Sequence, residues 1–405
     1  MLENNWLTFE QLIDKSKNKK IIFWGCFDYF QKTMGKYDFK PSFIVDSNVN
    51  LHGEKSHFGY DVKPPKSLNA LKDKSKYFII VTSTAFYEIF DILNDYGFTN
   101  NYSASPLLID MKTIQDINNV NDIILFSSSD TVKDHPSIGG GIYKLNLFDG
   151  IHNKIISGMT RGFDYYNENL IVNDANVGIR IFDNKYDELD CIKVPKNSYL
   201  HGLSIDNENS LLYVVQTRQD RISVFDLNTL KEVDKIEISK KHRRSGHEQY
   251  HHHINDIYYF NNSLFISMFT LTGNMQTNWH NGAIIEYDVI DNVILGEIAT
   301  NLYMPHSIKV LNKTITFLDS MKGHLINDPH TIMAQFPGFV RGLDYNKNYY
   351  FIGQSIHRYF KRAIDLSNII SMDAGIYIFE PKTKATRFVK TDGIYDINTL
   401  SILQK

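Results

Sequence analysis

Over residues 1–112, short apolar runs alternate with stretches of helical period. KIIFWG at 20–25 reads as a buried strand ending in glycine, PSFIVDSN at 41–48 as a second strand ending at Asp46, and YFIIVTS at 77–83 as a third. A helical stretch follows the first strand around 30–34. Another covers 85–98, where Phe86, Ile89, Phe90 and Leu93 fall on one face. Strands alternating with helices predict a parallel sheet, so this segment is expected to be a small Rossmann-like α/β domain. In a dinucleotide-binding half, Asp46 would meet a ribose hydroxyl. The loop CFDYFQKTMG after Gly25 lacks the second and third glycines, and Phe27 would crowd a pyrophosphate. A scaffold or docking role is the expectation, and no cofactor-binding residue is assigned here.

From residue 120 the helical period disappears. Short apolar strands recur, separated by Gly, Asn and Asp clusters, and they repeat in groups of four. Five complete groups lie at 161–194, 201–238, 254–299, 305–336 and 340–390. Three further strands at 122–129, 140–147 and 154–158 lack a partner, which a single C-terminal strand at 394–401 supplies. The third strands share one rhythm: IRIFD, ISVFD, IIEYD, IYIFE and IYKLN. The expectation is an all-β six-bladed propeller over 120–405, closed by the C-terminal strand so that no sheet edge is left open between blades.

In a propeller the first strand of each blade lines a central channel. Aligned on their first buried apolar residue (Phe163, Leu203, Ile257, Ile308, Leu343, Ile397), these strands place Arg161, His201, Asn255, His306, Arg341 and Tyr395 two positions earlier. Gathering arginines and histidines in one confined space is costly unless an anion or a metal joins them. Arg161 and Arg341 are candidate clamps for a carboxylate, phosphate or sulfate, with Asn255, Asp256, Gln216 and Gln354 as further substrate-binding candidates. The alternative pairs Arg161 and Arg341 with Asp164 and Asp344 as locks between blades. His201, His306 and Tyr395 are the catalytic candidates, as general acid or base. His201, His253 and His306 are the candidate ligands of a divalent metal ion, which is the one cofactor considered. Glycines after Arg161, His201 and Arg341 would let backbone approach a ligand. The long His- and Arg-rich loop 240–253 reads as a lid.

Two resemblances add to this reading. IIFWG, IVDSN, GYDVKPP (59–65) and IIVTS resemble a small domain often joined to enzymes of bacterial surface-glycan synthesis, which implies work on or near nucleotide-linked sugars. PHSIKV (305–310), FLDS (317–320), FPGFVRGLDY with FIGQS (336–355), HINDI (253–257) and TRGF (160–163) resemble an uncharacterised bacterial propeller family. That likeness implies the fold and the channel position, and no particular reaction.

Composition narrows the classes. Charged residues make up 22% with a net charge of -3, which gives no reason to expect nucleic acid or anionic lipid as a partner. Two cysteines do not make a disulfide framework. No basic-then-apolar leader and no apolar run of ~18–20 residues is present, so a cytoplasmic protein without a membrane span is expected. Together these point to an enzyme of surface-polysaccharide (capsule or lipopolysaccharide) biosynthesis: an epimerase, lyase or transferase. It would act on an anionic or nucleotide-linked sugar by histidine acid–base chemistry, with or without a metal. The alternatives are a non-catalytic glycan- or protein-binding module and a copper or iron oxidoreductase.

Overall fold

The structure, a computed structural model, describes residues 5–132, 135–195, 198–238, 251–273, 281–311, 313–363, 366 and 369–403. It divides into two compact units, Met1–Asp116 and Ile117–Lys405.

The first unit is a five-stranded parallel sheet. Its strands are β1 (Lys20–Trp24), β2 (Pro41–Val45), β3 (Val62–Lys63), β4 (Tyr77–Val81) and β5 (Tyr102–Ala104), in the order β3-β2-β1-β4-β5. The central strands are buried on both faces. Ile22, Trp24, Ile79 and Val81 pack with Phe86, Ile89 and Phe90 on one side, while Phe23, Ile44, Phe78 and Ile80 pack with Leu12 and Phe30 on the other.

The expected Rossmann-like α/β domain is not what forms. The described residues of this region carry four α-helices, Phe9–Ser16, Asp28–Lys36, Phe86–Asp95 and Ile109–Asn118, and only β1–β2 and β4–β5 are bridged by one. The links into and out of β3 are 3-10 turns, at Val49–Leu51, Pro65–Leu68 and Lys74–Lys76. β3 itself has two residues, because Pro64 and Pro65 follow at once and bring no amide hydrogen to a ladder. Asp46 is also already engaged. Its carboxylate accepts from Cys26 N at 3.2 Å and from Asn48 N at 2.9 Å, tying together the turns after β1 and β2.

The second unit is a six-bladed propeller of four-stranded antiparallel sheets. Blades one to five have innermost strands Thr160–Tyr166, Leu200–Asp206, Ile254–Phe260, Pro305–Leu311 and Phe339–Tyr345. The sixth joins Leu400–Ile402 to Ile123–Ser128, Gly141–Asn146 and His152–Ser157. Every gap between neighbouring blades holds its own apolar core, and the one between blade five and the closing blade sets Phe351, Ile376 and Ile378 against Phe126, Tyr143 and Leu400.

Side chains also stitch the innermost strands into a hoop. Ser204 Oγ accepts from Tyr259 N at 3.0 Å, Asp256 from Ser307 N at 2.7 Å and Ser307 Oγ from Gly342 N at 2.7 Å. Ser355 Oγ bonds both the N–H and the carbonyl of Ile397, at 3.0 and 3.1 Å. Thr399 Oγ1 donates to Arg161 O at 3.2 Å, and Asn173 Nδ2 donates to His201 O.

Candidate functional site

A repeated irregularity in the innermost strands builds the site. In all five complete blades the pairing of the first strand with the second slips by one residue near the same level, one residue later in blade four. Thr160 pairs with Asp174 but Gly162 with Asn173; Leu200 pairs with Gln216 but Leu203 with Val214. Ile254 and Ile257 show the same slip against Met268 and Ile266, His306 and Lys309 against Leu318 and Thr316, and Val340 and Leu343 against Gln354 and Ile352. A bulge of one extra residue bends the strand and re-aims a side chain. Here the bulges fall at Arg161, His201–Gly202, Asn255–Asp256, Ser307–Ile308 and Arg341–Gly342, so each blade offers a polar group at this level.

The sixth position is Asn398 and not Tyr395. Leu400 pairs with Phe126, the fourth residue of its strand, as Phe163 pairs with Val172, and this makes Leu400 the equivalent of Phe163. The sequence alignment on Ile397 was three residues early because Ile397 sits in an irregular run before the strand. Tyr395 is 57% exposed, whereas Asn398 is buried and donates from Nδ2 to Thr160 O at 3.4 Å.

In blade order the ring therefore reads Arg161, His201, Asn255, His306, Arg341, Asn398. It is polarised. Arg341, Asn398 and Arg161 occupy consecutive blades, and His201, Asn255 and His306 occupy the other three. His201, Asn255, His306, Arg341 and Asn398 are all less than 9% exposed.

Among the described residues, neither Arg161 nor Arg341 makes an ion pair. The Arg161 guanidinium lies 3.9 Å over the Tyr199 ring and donates to Leu200 O at 3.2 Å. Arg341 Nε has no acceptor. Burial lowers the proton affinity of both guanidiniums against the pull of Asp396, and Arg341 falls to about 10. Asp396 is committed elsewhere: it accepts from Ser128 Oγ at 2.7 Å, Ser129 N at 3.0 Å and Ser129 Oγ at 2.8 Å, and pairs with Arg358 at 3.4 Å. The proposed locks with Asp164 and Asp344 do not form. Asp344 instead pairs with Lys309 at 3.3 Å, and the same lysine acts electrostatically on Asp164, further along the innermost strands.

The two histidines differ. His306 is held at both nitrogens. Nδ1 lies 2.8 Å from Met304 O and 2.7 Å from Ser320 Oγ, and Nε2 faces Asn255 Nδ2. A carbonyl only accepts, so Nδ1 carries the hydrogen and Nε2 offers its lone pair to the amide. Burial and then the charge of Arg341 hold His306 well below the ordinary imidazole range. His201 packs between Tyr199 and His253, with ring centroids at 5.3 and 6.0 Å, and no hydrogen bond to its ring is found among the described residues. Burial, followed by Arg161, His253 and Arg341, also holds it well below the ordinary value.

Other candidates serve the frame. Gln216 bonds Ser223 Oγ and Arg221 Nε, both at 2.8 Å, within its own blade. Gln354 bonds Ser371 Oγ, Asp373 O and Tyr377 OH, again within its blade. Asp256 accepts from Ser307 N and Ile257 N, joining blades three and four, and burial raises it to about 6. The glycines admit neighbouring blades and not a ligand: a Cβ on Gly202 would stand 2.3 Å from Asp256 Oδ1. Asn173 escaped sequence reasoning. Its Oδ1 accepts from Arg161 N at 3.1 Å and Gly162 N at 2.8 Å, so it fixes the first bulge, and its place opposite an R-G pair was the available signal.

His253 packs its ring on Phe269 at 4.3 Å. Of the expected lid, 240–250 lie outside the described residues; His251 and His252 donate from backbone N to Asp220. Among the described residues, no three His, Cys, Asp or Glu side chains converge closely enough for a metal ion. His306 is engaged at both nitrogens, and the charges of Arg161 and Arg341 act on His201. No described helix is long and apolar enough to cross a membrane.

The family described as "Domain of unknown function (DUF4915)" matches residues 183–405, more than half of the chain. The chain belongs to that family. The match takes in blades two to five and the closing strand, and thus every ring residue except Arg161. No curated protein matches the chain. Among solved structures, a nidogen–laminin complex is similar at TM-score 0.46 and 9% identity, covering 69% of this chain and 97% of that one. A protein from Lactobacillus plantarum is similar at TM-score 0.44 and 12% identity, covering 70% and 100%. A structure described provisionally as a gluconolactonase is similar at TM-score 0.42 and 12% identity, covering 58% and 79%.

Proposed function

We propose that the bulged ring binds an anionic sugar and moves a proton on it. Arg161 and Arg341 hold the anion, and His201 acts as the acid–base group. Arg341 is the observation that carries this reading: a guanidinium in the interior, with Nε lacking an acceptor and no carboxylate paired to it among the described residues. Leaving a buried charge uncompensated costs several kcal/mol, and an incoming anion offsets that cost. The polarised ring gives the ligand a direction, with the charged end at blades five, six and one and the reacting centre at blades two to four.

His201 is the better base. Its ring is not used by the frame, and the arginines that attract the substrate also keep its imidazole neutral and ready to take a proton. His306 positions Asn255 through Nε2 and is not expected to exchange protons with a ligand. Epimerisation and elimination both begin with such a proton abstraction. A setting in surface-polysaccharide synthesis rests on the motif resemblance of residues 1–112 alone and plays no part in this chemistry.

The test is thermal unfolding with D-gluconate and with neutral D-glucitol. Gluconate is expected to raise the melting temperature, in proportion to the logarithm of its excess over Kd, and glucitol to leave it unchanged. Arg341→Met should weaken gluconate binding about 10–100-fold, the worth of a charge-assisted pair. Equal shifts from both compounds, or an unaltered response in the variant, would remove the anion-binding reading.

A further inference from the structure

We infer that the anion accepted by the ring is a 2-hydroxycarboxylate, the acid end of a sugar acid, and not a phosphate. This rests on the anion-binding reading and follows from two buried acceptors whose orientation is fixed. Asn398 meets the carbonyl of Thr160. Only the amide nitrogen can face a carbonyl, so Oδ1 points the other way, and there it is buried and has no donor. Asn255 is fixed by the same logic at one remove. Met304 O settles the hydrogen on His306 Nδ1, His306 Nε2 then requires the Asn255 amide nitrogen, and Asn255 Oδ1 is left buried without a donor.

These two oxygens occupy opposite blades of the six. Asn398 stands between the two arginines, so the sector that attracts an anion also holds one acceptor. A phosphate dianion or a simple carboxylate brings only lone pairs and would set them against Asn398 Oδ1. A hydroxyl on the carbon next to a carboxylate brings the missing hydrogen within one bond of the charge. The guanidinium donors, including Arg341 Nε, then take the carboxylate oxygens. Across the ring, Asn255 Oδ1 asks for a second hydroxyl, which a polyhydroxylated chain supplies. Sites built to bond a hydroxyl reject its deoxy analogue because the buried partner is left unpaired.

Isothermal titration of the full chain at pH 8, where inorganic phosphate is a dianion, compares D-galactonate, 2-deoxy-D-galactonate and inorganic phosphate. Galactonate should bind about 10–100-fold more tightly than either of the others. Asn398→Leu should erase the preference over the 2-deoxy acid. The wild-type comparison needs no mutation, so it stands even if that variant folds poorly. If the 2-deoxy acid or phosphate binds as tightly as galactonate, this inference fails and the anion-binding reading survives. If no anion binds and Arg341→Met changes nothing, the underlying reading fails and takes this inference with it.

Discussion

Arg341 and Asp256 show how single buried groups report on the site. Arg341 is buried, makes no ion pair among the described residues and feels the pull of an Asp396 already bonded to Ser128, Ser129 and Arg358, so Arg341→Met should weaken ligand binding with little loss of stability. Replacing an unpaired buried charge with an apolar chain of similar length is neutral or stabilising. Urea unfolding of the ligand-free variant checks this, and a loss of about 2 kcal/mol or more would show that the arginine has a frame partner after all. Asp256, raised to about 6 by burial, gives a pH signature. Its unfolded value is about 3.9, so between those limits the native state binds more protons than the unfolded chain. Its contribution to stability therefore grows as pH falls from 7 toward 5. His201 and His306 act in the opposite sense. Their folded values lie below the unfolded one, so acidification through about 6.5 loads protons on the unfolded chain and destabilises the fold. The Asp256 part is isolated by comparing wild type with Asp256→Asn. Acidification from pH 7 to 5 should cost the variant more stability than the wild type, by about 1–2 kcal/mol.

At the level of elements, the bulge in each innermost strand does what strand pattern alone does not. Period-two alternation set the polar ring residue and the buried apolar residue on the same face of one strand. In blades one, two, three and five the inserted residue falls at the ring position, and Phe163, Leu203, Ile257 and Leu343 just beyond it pack into the inter-blade cores. The tight crossings this requires explain Gly202. Gly202→Ala would put its Cβ against the Asp256 carboxylate and backbone and press blades two and three apart, at a cost of about 1–3 kcal/mol in a denaturant melt. Five of the six ring positions were legible because five blades repeat R-G-F, H-G-L, N-D-I, H-S-I and R-G-L near the start of their first strands. The sixth was not, because Ile397 imitates the apolar start of a strand while Ser355 holds it in the irregular run before the strand. Hydrogen-bond saturation of Gln216 and Gln354 was equally hidden, since an amide facing a channel and one bonded within its blade look alike in a sequence. In the first unit the error was different. Three strands of the parallel sheet were readable, but the links into and out of β3 close with 3-10 turns where the strand–helix rhythm predicted helices, and Pro64 and Pro65 cut β3 to two residues.

At the scale of the whole propeller, ring closure and site formation are one event. The closing strand pairs through Leu400, Ser401 and Ile402, contributes Asn398 to the ring and reaches Arg161 O through Thr399. Removing residues 395–405 should therefore expose the edge at Ile123–Ser128 and abolish anion binding even though both arginines remain. Hydrogen exchange would show protection lost first in Ile123–Ser128 and in Thr160–Tyr166, the strands flanking the gap, while Ile254–Phe260 on the far side keeps its own. Uniform protection with binding intact would mean that closure and the site are independent. The central claim is that the polarised ring is an anion site, and crystals soaked in D-galactonate test it most directly. Density for its carboxylate within hydrogen-bonding reach of Arg161 and Arg341, absent from crystals of Arg341→Met, is the predicted result. Galactonate confined to surface lysines, with none at the ring, would contradict it.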